Sequence, residues 1–361
     1  MRTTQKDIAK ELGISLLTVS RALNGTGYVS AALKERVLAY AKEKNYVPHK
    51  ASQVLVRNKI QRLALFSSTL PTYFWDDIRK GIDIAGEQIV PFDYVVSYHN
   101  VAEHDTEGYI RLIKEEIQIG LAAVGFVNQR KYDMKRIINT IKEANIPYIT
   151  FNSDAPKSGR LRYIGSNYGS GGALVADFIG STLRFATQKR VLVLLVDEHE
   201  KIYSQTPDIN VERLAGFRSV METKYPMVTY EVVHFSATLN KQEETTELEQ
   251  ILRSYHGSVE AVYLIPAFNT MFLKALKATG YRNVVTILHD IDANISAYLQ
   301  DGTLTAAVYQ NPALQGYYAV KTLEEIVEAK ITIPLQDIEI AHNLVLSENI
   351  DILNSTLFKI Y

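Results

Sequence analysis

Residues 3–25 read TTQKDIAKELGISLLTVSRALNG, two short amphipathic segments separated by one glycine. In the first segment, Ile8, Ala9 and Leu12 recur at helical spacing and form one apolar face. Gly13 suits the left-handed backbone conformation that ends many helices. The pattern predicts a helix-turn-helix, a motif whose second helix enters the major groove of DNA.

Small polar residues precede the predicted helices of this region. Thr4 has Asp7 three positions further on, which is the spacing of a capping box. Ser15 and Ser30 are placed to begin the second and third helices. Three helices of this length are expected to share one small core. Beyond the first helix, its predicted members are Val19, Ala22, Leu23, Leu33, Val37, Leu38 and Ala41.

Charge is distributed unevenly along the chain. The 361 residues carry a net charge of −1, whereas residues 1–60 hold eleven Lys/Arg and four Asp/Glu, a net charge of +7. The rest of the chain therefore carries −8. A basic end on an acidic body is typical of a protein that contacts phosphates at that end. Charge alone would favour a solvated three-helix cap, so the DNA-binding prediction needs the helix spacing as well.

From residue 62 onward, apolar runs alternate with amphipathic stretches, which indicates parallel sheets covered on both faces. The predicted buried strands are 62–66, 93–98, 122–127, 147–151, 190–196, 229–235, 261–265 and 284–288. The predicted helices are 75–88, 104–118, 133–144, 171–185, 211–223, 241–254 and 270–279. Ligands of such sheets bind beyond the carboxyl ends of the strands.

Aromatic and polar side chains follow several of these strands. Aromatic faces pack against the C–H face of a sugar ring, and Asn, Asp, Arg and Gln pair with its hydroxyls. The predicted contacts are Phe74, Trp75, Asn152, Ser153, Arg213, Phe268, Asn269, Asp290 and Gln310. Core packing for Phe74 and Trp75, and turn formation for Asn152 and Asp290, remain open alternatives.

Composition and motifs argue against several other classes of protein. The chain has no cysteine, no apolar run of membrane-spanning length and no signal-like region, so we expect a cytoplasmic protein without membrane contact. The histidines lack metal-ligand spacing, and neither a P-loop nor a Gly-x-Ser-x-Gly elbow occurs. We therefore expect neither an enzyme nor a bound metal or cofactor.

The run DIAKELGISLLTVSRALNG, with YVSAALKERVLAYAKEKNYVP after it, resembles the headpiece of the lactose-repressor (LacI/GalR) family of bacterial transcription regulators. The remainder resembles the ribose-binding type of periplasmic sugar receptor, the effector domain of that family. The resemblance implies an all-α headpiece at 1–48, a hinge helix or linker at 49–60, and an effector-binding and dimerisation domain at 61–361. The last would be a periplasmic-binding-protein-like α/β core of two Rossmann-like lobes with parallel sheets. Its N-lobe would comprise about 61–164 plus 292–312, and its C-lobe about 165–291 plus 313–361.

The resemblance also implies roles for residues of the headpiece. Bases would be read by Leu16, Leu17, Thr18 and Arg21, and two leucines favour apolar contact, for example with thymine methyl groups. Leu55, seven residues after Pro48, matches the leucine that this family wedges into the minor groove; interdomain packing is the alternative. Phosphate contacts would come from Thr4, Ser20, Arg21, Asn24 and Tyr28.

In the effector domain, the segments NVERLAGF, HDID and VYQNP place Arg213, Asp290 and Gln310 at the family's ligand positions. TYFWDDIRKG keeps two aromatic residues of the family's Asn-Pro-Phe-Phe stretch. In ITFNSDAP, Asn152 and Ser153 replace the family's Asp-Arg pair, which favours a neutral sugar or cyclitol over a ribose site.

These features together predict a sequence-specific transcriptional regulator, a repressor of carbohydrate-metabolism genes controlled by a small sugar or polyol. It would bind a pseudo-palindromic double-stranded operator as a homodimer. The C-terminal SENIDILNSTLFKIY is too short for the heptads of the family's tetramers. The sequence leaves open whether the effector induces or co-represses. The alternatives are a non-regulatory sugar receptor and a ligand-free architectural DNA-binding protein.

Overall fold

The computed structural model describes residues 3–24, 28–44, 46, 60–197, 208–236, 241–266 and 269–350. The chain divides into two compact units, residues 1–60 with 91–93 and the remainder. In the ranges just given, no helix combines the length and apolar character needed to cross a membrane.

The described part of the first unit contains the three predicted helices, α1 (Gln5–Leu12), α2 (Leu16–Asn24) and α3 (Ala31–Glu43). The capping box is confirmed, because the Asp7 N–H donates to the Thr4 hydroxyl and the Thr4 N–H donates to the Asp7 carboxylate at 2.8 Å. Gly13 ends α1 with a φ of 64°. The Thr18 N–H donates to the Ser15 hydroxyl at 3.0 Å, so Ser15 caps α2 as predicted.

Three predictions about α3 are wrong. Ser30 precedes α3, but its hydroxyl makes no capping hydrogen bond. Leu38 is 44% exposed. Val37 and Ala41 form the face of α3 that packs into the core, and Leu38 lies at the edge of that face, in contact with solvent. Leu33 is half-buried and outside the core cluster, which is formed by Ile8, Ala9, Val19, Ala22, Val37 and Ala41.

The second unit contains two lobes, each built on a parallel sheet that helices flank. Among described residues, the N-lobe sheet has the order β11-β5-β4-β3-β1-β2. Its strands are β1 (Gln61–Ser68), β2 (Tyr94–Val101), β3 (Leu121–Phe126), β4 (Tyr148–Phe151), β5 (Tyr163–Gly165) and β11 (Ile338–Glu339). Its helices are α4 (Thr72–Ile89), α5 (Thr106–Ile119), α6 (Met134–Glu143) and α12 (Pro312–Ala329).

The C-lobe repeats this arrangement, with the described strands in the order β12-β10-β9-β8-β6-β7. Its strands are β6 (Arg190–Asp197), β7 (Thr229–Ser236), β8 (Ala261–Leu264), β9 (Val285–His289), β10 (Ala306–Tyr309) and the antiparallel β12 (Asn343–Val345). Its helices are α7 (Tyr168–Thr182), α8 (Ile209–Lys224), α9 (Lys241–Tyr255), α10 (Asn269–Thr279) and α11 (Ile295–Gln300). All eight predicted strands and all seven predicted helices of the body are confirmed. The prediction that every strand is buried is wrong for β2 and β7, which are edge strands and mostly not buried.

The predicted lobe boundaries are wrong after residue 291. β10 pairs in parallel with β9 and belongs to the C-lobe, so the segment 292–309 is not part of the N-lobe. α12 packs on α4 and the N-lobe strands, and β11 pairs with β5, so much of 313–361 is not part of the C-lobe. The physical reason is the exposed edge of β9, which the next strand covers through the single crossover helix α11.

Glycines bring two helices of the C-lobe into backbone contact. A Cβ atom on Gly172 of α7 would lie 1.8 Å from the carbonyl oxygen of Arg213 on α8. A Cβ atom on Gly216 of α8 would lie 1.9 Å from the carbonyl oxygen of Gly169. Only glycine allows this approach, so the two helices pack with no side chain between them.

Candidate functional site

The predicted DNA-contacting residues of α2 are accessible in the first unit. Leu16 is 43% exposed and Leu17 is 59% exposed, although both are large and apolar. Arg21 is also exposed, whereas Thr18 uses its hydroxyl for a 2.8 Å hydrogen bond with the Ser15 hydroxyl. Two leucines at the start of an exposed helix leave apolar surface facing solvent, which is typical of a surface that binds a partner.

The other predicted DNA contacts are less uniform. Thr4 belongs to the capping box, Ser20 is half-buried, and Tyr28 is exposed. The side chain of Asn24 and the whole of Leu55 lie outside the described residues, so both remain predictions.

The centre of the C-lobe site is a buried pair of opposite charges. Arg213 projects from α8 and is 3% exposed; Asp290 follows β9 and is 6% exposed. Their closest atoms, Arg213 Nη2 and Asp290 Oδ2, are 3.6 Å apart. Arg213 Nη1 donates to the Ile265 carbonyl at 3.0 Å, and its guanidinium lies 5.6 Å from the centre of the Tyr168 ring. Burial raises the pKa of Asp290, while Arg213 opposes that shift by stabilising the carboxylate.

Two amide side chains complete the surroundings of Asp290. Gln310 Nε2 donates to Asp290 Oδ1 at 2.8 Å, and Asn269 Nδ2 donates to the backbone carbonyl of Asp290 at 3.3 Å. Asp290 itself has a φ of 68°, a left-handed conformation that Asp and Asn tolerate better than most residues. The structure thus brings together Arg213, Asn269, Asp290 and Gln310, which the sequence separates widely. Phe268 lies outside the described residues.

Several polar atoms around Asp290 are buried without a hydrogen-bond partner among the described residues. They are Arg213 Nε, Asn269 Oδ1, Gln310 Oε1 and, from the N-lobe, Tyr73 Oη. Asp290 is close enough to Tyr73 to raise the pKa of its hydroxyl, although burial is the larger cause. Unpaired buried polar atoms are costly, so a group of them around one carboxylate indicates a place for a hydrogen-bonding ligand.

The predicted effector contacts of the N-lobe make their contacts within that lobe. Asn152, with a φ of 61°, donates from Nδ2 to Gln315 Oε1 at 3.2 Å, and Ser153 is also buried. Phe74 and Trp75 are buried and stand edge to face at 5.1 Å, and Trp75 Nε1 donates to the Leu70 carbonyl at 2.8 Å. These contacts fit the core and turn interpretations as well as a ligand wall.

Residues not predicted from sequence also surround Arg213. The positive charge of Arg213 contributes to lowering the pKa values of two nearby histidines, His289 and His342. Burial is the main cause that lowers the pKa of His342 to about 4, and it lowers the pKa of fully buried His289 as well. Tyr73 and Tyr168 could have been found, because they lie in the first turns of α4 and α7, the helices that follow β1 and β5. His342 carried no such signal, since only the late return of the chain to the C-lobe brings it near Arg213.

A cavity of about 250 Å³ lies beside this site, between the outer edge of the N-lobe sheet and α8. It shares Tyr168 with the surroundings of Arg213. Burial and the charges of Asp208 and Asp154 raise the pKa of its Glu212 carboxyl. Its lining residues are Ser153, Asp154, Tyr163, Ser166, Asn167, Tyr168, Glu212, Asp337 and Glu339. Four of these residues are carboxylates, and Arg160 forms ion pairs with two of them, Asp154 and Asp337.

A two-lobed α/β fold with a polar site at the strand ends, joined to a helical unit, defines a class of ligand-responsive binding proteins. Residues 63–331 match the periplasmic binding protein domain, and residues 4–49 match the bacterial regulatory proteins of the lacI family. The chain belongs to the LacI family.

Individual relatives are distant. The HTH-type transcriptional regulator DegA of Bacillus subtilis is 24% identical over 43% of this chain and 45% of its own length, so the chain matches less than half of that protein. The ribose import binding protein RbsB of the same species is 25% identical over 74% of this chain and 82% of its own. An ABC transporter solute-binding protein from Burkholderia graminis, solved with D-arabinose, covers 81% of this chain and 97% of its own at 21% identity and a TM-score of 0.66.

Proposed function

We propose that this protein is a transcriptional repressor of carbohydrate-metabolism genes whose DNA binding is controlled by a neutral sugar, polyol or cyclitol. Family membership and the exposed α2 support the DNA-binding half. The observation that carries the effector half is the set of unpaired buried polar atoms around Asp290. The chain would act in the cytoplasm, where its operator is.

The hydrogen-bonding capacity of the site favours hydroxyl groups. Asn269 Oδ1 and Gln310 Oε1 can only accept a hydrogen bond, whereas Arg213 Nε can only donate one. A vicinal diol supplies donors and acceptors from the same two groups. A phosphate or carboxylate would leave the amide oxygens of Asn269 and Gln310 unpaired and would also face the carboxylate of Asp290. The D-arabinose in the related solute-binding protein is consistent with this ligand class.

At the other end, α2 would lie in the major groove of a half-site. Leu16 and Leu17 would contact thymine methyl groups, and exposed Arg21 would contact bases or phosphates. Leu55 would wedge into the minor groove and make operator affinity depend on the hinge segment. Two such units in a homodimer would read a pseudo-palindromic operator.

One alternative has a specific observation in its favour. RbsB resembles a larger share of this chain than DegA does, which would suit a sugar receptor without a regulatory role. The family's helix-turn-helix unit argues for the regulator. The relatives named as regulators also argue against an enzyme.

A thermal-shift assay tests the effector site. D-Arabinose, D-ribose and myo-inositol are compared with glucuronate and glucose 6-phosphate, on the wild type and on Asp290→Asn. At least one neutral polyol should raise the melting temperature of the wild type only, and the anions should have no effect. Asp301→Asn, a surface change in the same lobe, is the matched control. Stabilisation that survives in Asp290→Asn would refute this site.

Selection of DNA sites from a random double-stranded library tests the other half. The wild type should recover pseudo-palindromic sites, and Leu17→Ala should weaken binding to them by about tenfold, the effect of one good base contact. Leu38→Ala removes an exposed leucine from α3 and serves as control. Leu55→Ala should weaken operator binding strongly without changing effector affinity; an unchanged operator affinity would refute the hinge wedge. Failure to select any sequence would leave the sugar receptor as the better description.

A further inference from the structure

One ion pair joins the two lobes directly at the ends of their strands. Arg130 lies in the loop after β3 of the N-lobe, and Asp208 is the residue before α8 of the C-lobe. Arg130 Nη1 donates to Asp208 Oδ2 at 3.0 Å. The side chains are 30% and 17% exposed, so water screens the pair only in part.

Both partners are attached to the candidate effector site. Asp208 Oδ1 accepts the N–H groups of Asn210 and Val211 and so caps α8, the helix that carries Arg213. In the Arg130 loop, the backbone N–H of Asn128 donates to the Ser153 carbonyl at 3.1 Å. The two carboxylate oxygens of Asp208 therefore have different partners. Oδ1 caps α8, and Oδ2 forms the ion pair with Arg130 of the N-lobe.

Like charges oppose this attraction nearby. Asp154 of the N-lobe and Glu212 of α8 line the same cavity, and the charge of Asp154 contributes to raising the pKa of Glu212 after burial and Asp208. Arg160 pairs with Asp154 and compensates part of this repulsion. Because Glu212 precedes Arg213 in the chain, attraction at Asp208 and repulsion at Glu212 act on the same first turns of α8. The position of that helix relative to the N-lobe depends on their balance.

We propose that the Arg130–Asp208 ion pair is an interlobe latch that positions α8, and with it Arg213, when the lobes close around the effector. Both members are positioning residues, because neither is among the groups that surround Asp290. This inference rests on the proposed effector site. It adds that closure has an electrostatic component separate from the ligand contacts.

The absence of cysteine allows a direct measurement of closure. Glu115→Cys on α5 and Lys274→Cys on α10 place spin labels on exposed positions of the two lobes, and pulsed electron resonance measures their separation. Without ligand, Arg130→Gln should broaden the distance distribution and shift it to longer values. Asp208→Asn should do the same while keeping the cap oxygen. Glu212→Gln should shift the distribution to shorter values.

Affinity for the polyol found by thermal shift provides the second measurement. Arg130→Gln and Asp208→Asn should each weaken binding about threefold to fivefold, the range of a partly exposed ion pair. The double variant should lose less affinity than the sum of the two single losses, because the interaction between Arg130 and Asp208 is lost only once. Arg130→Lys should restore much of the affinity. Arg190→Gln, which breaks the Arg190–Glu231 pair within the C-lobe, should change neither measurement.

The possible failures are distinguishable. If the wild type binds no polyol, the proposed function fails, and the label distances still test the latch. If the wild type binds but label distances and affinity are unchanged in Arg130→Gln, the latch is refuted while the effector site stands. Additive effects in the double variant would also contradict a direct ion pair.

Discussion

The two lobes share one strand order but differ in the residue that follows the fourth strand of each sheet. In the N-lobe this residue is Asn152, with a φ of 61°; in the C-lobe it is Asp290, with a φ of 68°. Asn152 is a neutral amide bonded to Gln315 of its own lobe. Asp290 is a carboxylate beside Arg213, with unpaired polar atoms around it. Equivalent positions of the fold thus hold a completed structural contact in one lobe and an incomplete polar site in the other.

This difference indicates that the two lobes need not contribute equally to ligand binding. The C-lobe holds the buried charges and the amide oxygens that a ligand would satisfy. The N-lobe offers aromatic residues, the Asn152 amide already bonded within it, and unpaired neutral atoms such as Tyr73 Oη and Gln129 Oε1. Because the buried charges of the site belong to the C-lobe, selectivity for the effector is expected to depend more on that lobe than on the N-lobe.

The largest effect is expected from Asp290→Gly, which removes the carboxylate at a backbone angle that glycine adopts freely. Arg213 would then be a buried charge without its partner, which costs about 3–5 kcal/mol of unfolding free energy. Urea unfolding of the wild type and the variant measures the difference. A loss no larger than that of Asn152→Gly would show that the two positions are equivalent after all.

The pH dependence of stability should show the next largest effect. Burial lowers the pKa of His342 to about 4 from the ordinary 6.5, so the unfolded chain binds a proton in this interval that the folded chain does not. The contribution is fully present above pH 6.5 and is lost as the pH falls towards 4, up to about 3 kcal/mol. Urea unfolding at pH 7 and pH 4.5 should show a smaller loss for His342→Gln than for the wild type. Equal losses would contradict a neutral His342 beside Arg213.

Asn152→Gly is the N-lobe counterpart of the first variant. It leaves the buried Gln315 Oε1 without its donor and should cost about 1–2 kcal/mol. Because this amide is used within the lobe, polyol affinity should change less than twofold. A large loss of affinity with little loss of stability would make Asn152 a ligand contact and weaken the contrast between the lobes.

The smallest effect is expected for Trp75→Phe. The variant loses the hydrogen bond to the Leu70 carbonyl and some buried ring area, about 1 kcal/mol of stability. If the ring belongs to the N-lobe core, polyol affinity will be unchanged in a calorimetric titration. A several-fold decrease would instead make Trp75 part of the ligand wall.

Much of the architecture could be read from the sequence, because local patterns determine it. Short segments rich in apolar residues predicted the eight strands, and the capping residues predicted α1 and α2. The burial of β2 and β7 was overestimated, because both are edge strands of their sheets. The lobe to which residues 292–309 belong could not be predicted, because β10 is only four residues long and either sheet could accept it at an edge. Leu38 was misassigned because an apolar residue beside the inner face of a short helix satisfies the same periodicity.

The candidate site was predictable where side chains follow strands directly or match the family's ligand positions. Asp290 and Gln310 follow β9 and β10 directly, whereas Arg213 lies on α8 and was predicted from the resemblance of NVERLAGF to the family. Tyr73 lies in the first turn of α4 beside Phe74 and Trp75, the two residues of this group that were chosen as contacts. The bond between Asn152 and Gln315 and the approach of His342 to Arg213 join segments that are far apart in the chain. The local sequence around these residues does not predict such contacts.

The backbone contact between Gly172 and Arg213 has a consequence for any attempt to redesign the ligand preference. A residue exchanged at the cleft surface alters one contact. A side chain added at Gly172 would instead displace the main chain of α8 and move the guanidinium together with every neighbour that depends on it. Library designs for new effectors should therefore vary the side chains that face the ligand and keep Gly172 and Gly216 fixed. These two glycines determine how closely α7 and α8 pack, and so where Arg213 lies.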